Sequence, residues 1–418
     1  IHNTRVKKMT INQFLDTSYT AFHTVANAEA MLAKHGFTKL TLGKDFAIKR
    51  GGRYYVTRND SGIIAFVAGQ NNVFNIVESH TDSPSFKVKG NSVTEGNGVV
   101  RVNTEKYGGG LLYTYFDRPM KIAGRLLCQT ENGLQTKLAV SDYNVVIPSL
   151  CIHHNRNAND GFAVNAQVDT LPLLGLTGSD IYSTLTDEKV IDGDLFVVPV
   201  TPAFAAGTHN ELLCSPRIDN LTSVYSGLSA LIAAEPHDIA VCACLDNEEI
   251  GSGTRQGSPN WLEQVLCAIC DALGLTETQA FAARENGFVL SADNGHAVHP
   301  AHPEKSDPYT KAYMGKGVMI KHHVNYSTDG LSSALFKHIA SLADVPVQDY
   351  YNNSAVSCGS TLGLVTSRTL GMKTCDIGLA QLAMHSACET VALCDVEHMK
   401  AALLTFFNVT LDGNNATL

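Results

Sequence analysis

The feature that most constrains this chain is a change of texture that occurs twice along it. From Asp219 onward, helical stretches such as NLTSVYSGLSALIAA, WLEQVLCAICDAL, GLSSALFKHIASLA and VEHMKAALLTFF alternate with short apolar runs, IAVCACL and GFVLSAD. That alternation predicts a mostly parallel sheet covered on both faces, whose strands are buried on both sides and so lose the in–out pattern of a half-exposed sheet. The same buried character appears early, in RYYVTR, GIIAFVAG and VFNIVESH. These follow a helical segment read from Thr10 to Gly36, with Asp16 ahead of its apolar-periodic stretch and Gly36 as its stop. Between about Pro84 and about Cys214 the residues alternate and carry turn signals instead. There GRLLCQTENGLQTKLAVS reads as a hairpin with Asn132-Gly133 in a type I′ turn, and Asp192-Gly193 as a similar reversal before LFVVPV. The simplest arrangement is one α/β domain made from both ends of the chain, residues 9–84 and 214–418, with a β-rich domain of residues 85–213 inserted. Residues 1–8, ahead of Met9, read as a tag remnant or a short extension.

Composition closes off several classes. The 418 residues suit two to three domains, and 44% hydrophobic residues can fill a large core. A net charge of −9 with no Lys/Arg cluster argues against a nucleic-acid binder. No run reaches the roughly 18 apolar residues of a membrane span. Charged residues are only 17%, which suggests that much surface is hidden in subunit contacts. Eleven scattered cysteines fit reduced thiols and a cytoplasmic location better than a disulfide framework. Cys242 and Cys244, inside IAVCACL, read as part of a buried strand.

Open α/β sheets place ligands beyond the carboxyl ends of their strands. The residues just past the apolar runs are Ser79-His80-Thr81-Asp82, Asp246-Asn247-Glu248-Glu249, Ala292-Asp293 and Met384-His385-Ser386, while Asp219 stands before a helix in PRIDN. Each alone has a plain reading, as a loop residue, an acidic turn or a helix cap. Together they supply two His, two Asp and two Glu to one sheet edge. Asp82 is spaced to hold the far ring nitrogen of His80. Adjacent Glu248 and Glu249 repel each other when half-buried unless a cation or a shared proton compensates. Five N/O ligands make a site for two Zn²⁺-like ions with one bridging carboxylate and a water between them. The histidines of HAVHPAH, His296, His299 and His302, read as structural because Pro300 and Pro303 break their register; His296 is the exception to watch. The runs Gly108–Gly110 and Gly359 through Gly363 lack the Lys-Ser/Thr ending of a phosphate loop.

The stretches HTDSPSFKVK, PRIDNL, DNEEIGS, SADNGHAVHP, CGSTLG and LAQLAMHS, with the opening FLDTSYTAFHTV, resemble the aspartyl aminopeptidase family of co-catalytic di-zinc exopeptidases, over nearly the whole chain from about residue 11. The resemblance implies a three-layer α/β zinc-exopeptidase domain with an inserted β-rich dimerisation domain. It implies His80 and Asp293 on one metal, Glu249 and His385 on the other, and Asp219 bridging. Glu248 would be the general base for attack by a metal-bridging hydroxide, and Asp82 would orient His80. It further implies that His153, with His154 as neighbour, reaches into the site of an adjoining subunit. Lys321, with Lys316 second, would read an acidic N-terminal side chain. The implied activity is release of N-terminal residues, Asp or Glu, from short peptides by a tetrahedral homododecamer built from dimers, in the cytoplasm, with Zn²⁺ or alternatively Mn²⁺ or Co²⁺. Rival readings are an aminopeptidase of the same fold with neutral or basic preference, a deacylase or dipeptidase on that fold, and a catalytically silent assembly or cargo protein.

Overall fold

The computed structural model describes residues 9–418 except Thr177 and Ser179; the extension expected over residues 1–8 lies outside the described residues. Apolar runs become the strands of a nine-stranded sheet: β1 (Thr38–Lys39), β2 (Arg53–Arg58), β3 (Gly62–Val67), β4 (Phe74–His80), β5 (Ile239–Leu245), β6 (Phe288–Ala292), β7 (Val318–His322), β8 (Val347–Tyr351) and β9 (Lys373–Gly378). Their order is β1-β2-β3-β5-β4-β6-β9-β7-β8. The centre, β5-β4-β6-β9, is parallel throughout, while β2, β3 and β7 bring antiparallel pairings towards the margins. Every residue of β3, β4, β5 and β6 is buried, as unbroken apolar strands require. Cys242 and Cys244 sit there, fully buried, as a strand reading expects.

Eight helices, α1 (Ile11–Thr17), α2 (Ala21–Lys34), α3 (Ile218–Ala233), α4 (Asn260–Ala272), α5 (Glu277–Glu285), α6 (Gly330–Leu342), α7 (Leu362–Leu370) and α8 (Leu393–Asn408), are described around this sheet. One core gathers Phe14, Leu32, Leu228, Phe336 and Phe406, from α1, α2, α3, α6 and α8. A second gathers Trp261, Leu266, Ala283 and Leu370, from α4, α5 and α7. Separate cores on the two faces make three layers. The expected first helix divides. Thr10 caps α1 through a capping box with Gln13, the chain breaks at Ser18, and α2 starts after Thr20. Asp16 therefore does not begin a helix; it lies near the end of α1, and its carboxylate accepts the Ala203 N–H. Gly36, at φ +80°, follows α2 as the expected stop.

The middle of the chain forms a six-stranded antiparallel sheet with its own core, built on Phe86, Val102, Ile122, Leu126 and Val197. Met120–Thr130 and Gly133–Val140 do pair as a hairpin. Only Gly133 of the Asn132-Gly133 pair has positive φ, however, so the turn is not of type I′. Asp192-Gly193 is no reversal either. It lies inside the strand Lys189–Pro199, just past a bulge after Val190, because that strand pairs with Met120–Thr130 along its length. Leu212–Ser215 pairs with Phe204–Ala206 and with Glu389–Ala392, in a five-stranded sheet that also holds Ala380–Leu382 and Gly295–His296. The expected boundary between 213 and 214 falls inside the strand Leu212–Ser215.

Candidate active site

The parallel centre of the sheet brings the chemistry to one edge. His80 ends β4, Asp246 follows β5 and Asp293 follows β6, with Leu245 of β5 directly beside His80. Asn247, in left-handed conformation, turns the chain after β5 into a short 3₁₀ turn, Glu248–Ile250, that carries both glutamates. Asp219 stands in the first turn of α3, and His385 lies between the strands Ala380–Leu382 and Glu389–Ala392.

These residues converge. His80 Nε2 lies 3.6 Å from Asp219 Oδ1, 3.5 Å from Asp293 Oδ1 and 4.0 Å from Glu248 Oε2. His385 Nε2 lies 3.2 Å from Asp219 Oδ2 and 3.3 Å from Glu249 Oε1. Among the described residues they form three donor groups able to hold a cation, His80-Asp219-Asp293, Asp219-Glu249-His385 and His80-Glu248-Glu249, and Asp219 belongs to the first two. Asp82 sits where spacing puts it, with Oδ1 3.3 Å from His80 Nδ1. It also does what spacing does not reveal. Its two oxygens accept the backbone N–H groups of Glu248 and Glu249, and Oδ2 accepts the Tyr107 hydroxyl as well.

The electrostatics ask for positive charge. Burial raises Glu248, and Asp293 and Glu249 add to it, so that its carboxyl is pushed up to about 8 despite nearby His80. Burial raises Glu249 too. Burial works against a charge on His385, yet Asp219 and Glu249 outweigh it and push the imidazole up to about 12. His80 is likewise raised well above its ordinary value, its carboxylate neighbours overcoming burial, while Asp219 is held low by the two histidines in spite of burial. The buried oxygens Asp219 Oδ1 and Glu249 Oε1 accept no hydrogen bond. Crowded carboxylates, histidines able to shed protons, and buried oxygens without donors fit divalent cations, zinc among them.

Of the remaining expected residues, Lys321 is buried beside the centre. Its Nζ lies 3.4 Å from Asp293 Oδ2 and 3.2 Å from the Asn294 carbonyl, with the Tyr326 ring 5.2 Å away. Lys316 is exposed in the turn before β7. His153 and His154 are exposed in an irregular stretch of the insert, apart from the donor groups of their own chain. His296 and His299 line a cavity of about 260 Å³ with Lys305, Tyr326, Tyr350, Cys358 and Gly359, and His302 is not part of its lining. The CGSTLG stretch thus does border a cavity.

Three contributors escaped the sequence reading. Tyr107 links Asp82 to Asn247, whose side-chain N–H donates to the Tyr107 hydroxyl at 2.8 Å. The glycines after it explain themselves sterically. Gly108 has φ +73°, and a Cβ there would stand 3.1 Å from Glu249 Cβ; the Gly109 carbonyl lies 3.2 Å from His385 Nδ1. The third is Glu389, which is buried and receives the backbone N–H groups of both Asp219 and His385. The Gly-Gly-Gly run was the one available signal for the second contributor; nothing local marks the other two.

Comparison with known proteins places the fold and the family. Residues 14–407 match the family described as Aminopeptidase I zinc metalloprotease (M18). A probable M18 family aminopeptidase 2 of Clostridium novyi is 38% identical over 425 residues, 95% of this chain and 98% of that one. The solved structure of the Ape4 and Nbr1 complex contains a chain 32% identical, with TM-score 0.89, covering 95% of this chain and 84% of that one. The yeast (S. cerevisiae) mApe1 dodecamer is 25% identical with TM-score 0.81, covering 97% of each chain. The chain belongs to the M18 family of zinc metallo-aminopeptidases, a family of peptide hydrolases.

Proposed function

We propose that this protein removes acidic N-terminal residues from short peptides at a centre that holds two divalent ions, His80 and Asp293 serving one, Glu249 and His385 the other, with Asp219 between them. The observation that carries this reading is Asp219: one buried carboxylate whose two oxygens face two histidines on opposite sides. When bound, the ions supply Lewis acidity at the scissile carbonyl and its attacking water. Glu248 takes the water's proton and passes it to the departing amine. Its carboxylate lies 4.0 Å from His80 Nε2, beside the proposed ions, where a base must stand to reach the attacking water. Asp82 keeps His80 oriented and fixes the backbone of Glu248, so the base is held at a set distance from the centre.

The Lys321 ammonium lies against the Tyr326 ring, which lines a cavity that Lys305 also lines, and cations so placed support an acidic preference. A second reading, an enzyme of neutral preference, is favoured by one observation: that ammonium is already engaged by Asp293 and the Asn294 carbonyl. Residues 85–213 would serve as the dimerisation domain. They expose Leu134, Leu150, Val168, Leu176 and Ile191, an unusual apolar load for a free surface. Together with the dodecamer formed by the yeast relative, this supports a homododecamer built from dimers, in which exposed His153, with exposed His154 as its neighbour, enters a neighbouring site. Cysteines free throughout the described residues fit the cytoplasm.

The test is a panel of aminoacyl reporter amides, assayed with and without chelator. Faster cleavage of Asp and Glu reporters, abolished by chelator and restored by Zn²⁺, Mn²⁺ or Co²⁺, is the expected outcome. Equal or faster cleavage of neutral reporters overturns the acidic preference and leaves the second reading.

A further inference from the structure

We infer that Glu389 is a positioning residue that sets the loop-borne half of the metal centre, so that its carboxylate governs how tightly the Glu249–His385 side holds its ion; the inference rests on the two-ion reading. The strand Leu212–Ser215 runs antiparallel to Glu389–Ala392, with Ser215 directly opposite Glu389. From Ser215 the chain passes through Pro216 and the left-handed Arg217, φ +62°, to reach Asp219, whose N–H returns to Glu389 Oε2 at 2.8 Å. On the other side, four residues before Glu389, His385 is also left-handed, φ +65°, and its N–H points to Glu389 Oε1 at 2.5 Å. One buried carboxylate therefore holds by the backbone two residues that come from segments 166 positions apart, one oxygen for each. Non-glycine residues rarely keep positive φ without such restraint. Arg217 is restrained separately, its guanidinium donating to the Pro199 and Leu15 carbonyls.

Among the described residues, the Glu389 carboxylate accepts its hydrogen bonds from backbone N–H groups of Asp219 and His385, not from their donor atoms. It acts through Asp219 and His385, and only a group with two acceptor oxygens in one plane can serve both N–H groups. Glutamine keeps the shape but places an NH₂ against one of them. His80 and Asp293 depend on strand ends instead, so the two halves of the centre respond differently.

The experiment compares intact wild-type, Glu389→Gln and Glu389→Asp proteins. Ion number and affinity are read by zinc competition against a chromophoric chelator, folding by circular dichroism and urea unfolding of the metal-free forms, and turnover on a reporter amide. Glu389→Gln is expected to fold and to weaken the His80–Asp293 ion only slightly, since that ion shares Asp219 but not His385. Affinity for the other should fall about 10- to 100-fold, with kcat lowered more than KM. Glu389→Asp, which retains both oxygens on a shorter arm, should fall between the two. Wild-type protein that binds fewer than two ions overturns the two-ion reading and this assignment with it. Two ions in wild type and undiminished affinity for both in Glu389→Gln overturn the assignment alone. So does loss of folding in both variants, or equal weakening of both ions, since either makes Glu389 a general stabiliser.

Discussion

The two sides of the proposed metal centre are built by different means. On one side, His80 and Asp293 are the residues at which parallel strands β4 and β6 stop, backed by Asp82 and Lys321. On the other, Glu249 sits in a single 3₁₀ turn and His385 in a left-handed loop. These are held by groups from elsewhere, Gly108 and Gly109 of the insert and Glu389. A strand end inherits its position from the sheet ladder. A loop ligand has to be fixed by buried polar contacts and close backbone approach. The comparison teaches that the β-rich middle of the chain reaches the candidate site: Tyr107 donates to Asp82, and Gly108 lies close against Glu249.

The largest effect is expected where both sides share a function. Glu248→Gln should reduce kcat by about 10²- to 10⁴-fold while zinc content, measured by atomic absorption, stays at the wild-type level. Near-normal turnover would remove Glu248 from the role of base and leave the two sides without a common centre. Next, stepwise removal of metal should separate them. Titration with a chelator is expected to extract one ion first, and His385→Ala should abolish that weaker step while His80→Ala abolishes the tighter one, because rigid donors lose less freedom on binding. The reverse assignment would break the contrast between strand ends and loops. The smallest effect is expected from Gly108→Ala. A side chain at φ +73° costs about 1–2 kcal/mol, and its Cβ would press on Glu249. Urea unfolding should show that loss, and the weaker ion should leave at lower chelator concentration, with the tighter one unmoved.

Much of the centre was legible because strand ends are legible. Unbroken apolar runs fix where β4, β5 and β6 stop, and polar residues at those points have little reason to be there except chemistry. The ordered motifs then pointed to Asp219 and His385, which periodicity does not single out. Glu389 was not legible. Its carboxylate matters only because strand Glu389–Ala392 pairs with Leu212–Ser215 from the far side of the insert. Tyr107 is similar, an aromatic at the end of an alternating strand whose hydroxyl happens to meet Asp82. The break between α1 and α2 was missed because both segments carry apolar periodicity, and the interruption is decided by how Thr10 and Thr20 begin separate helices.

By itself the sequence determined what short-range chemistry can determine: which segments are buried on both faces, where they end, and which donors stand at those ends. Only the tertiary structure decided which carboxylate answers which histidine, that Lys321 leans on Asp293, and that Gly108, Gly109 and Glu389 from distant segments hold Glu249 and His385 in place. The physical reason is reach. Burial and backbone preference act over a few residues, whereas a metal-competent cluster depends on hydrogen bonds between segments whose separation along the chain carries no record of their contact.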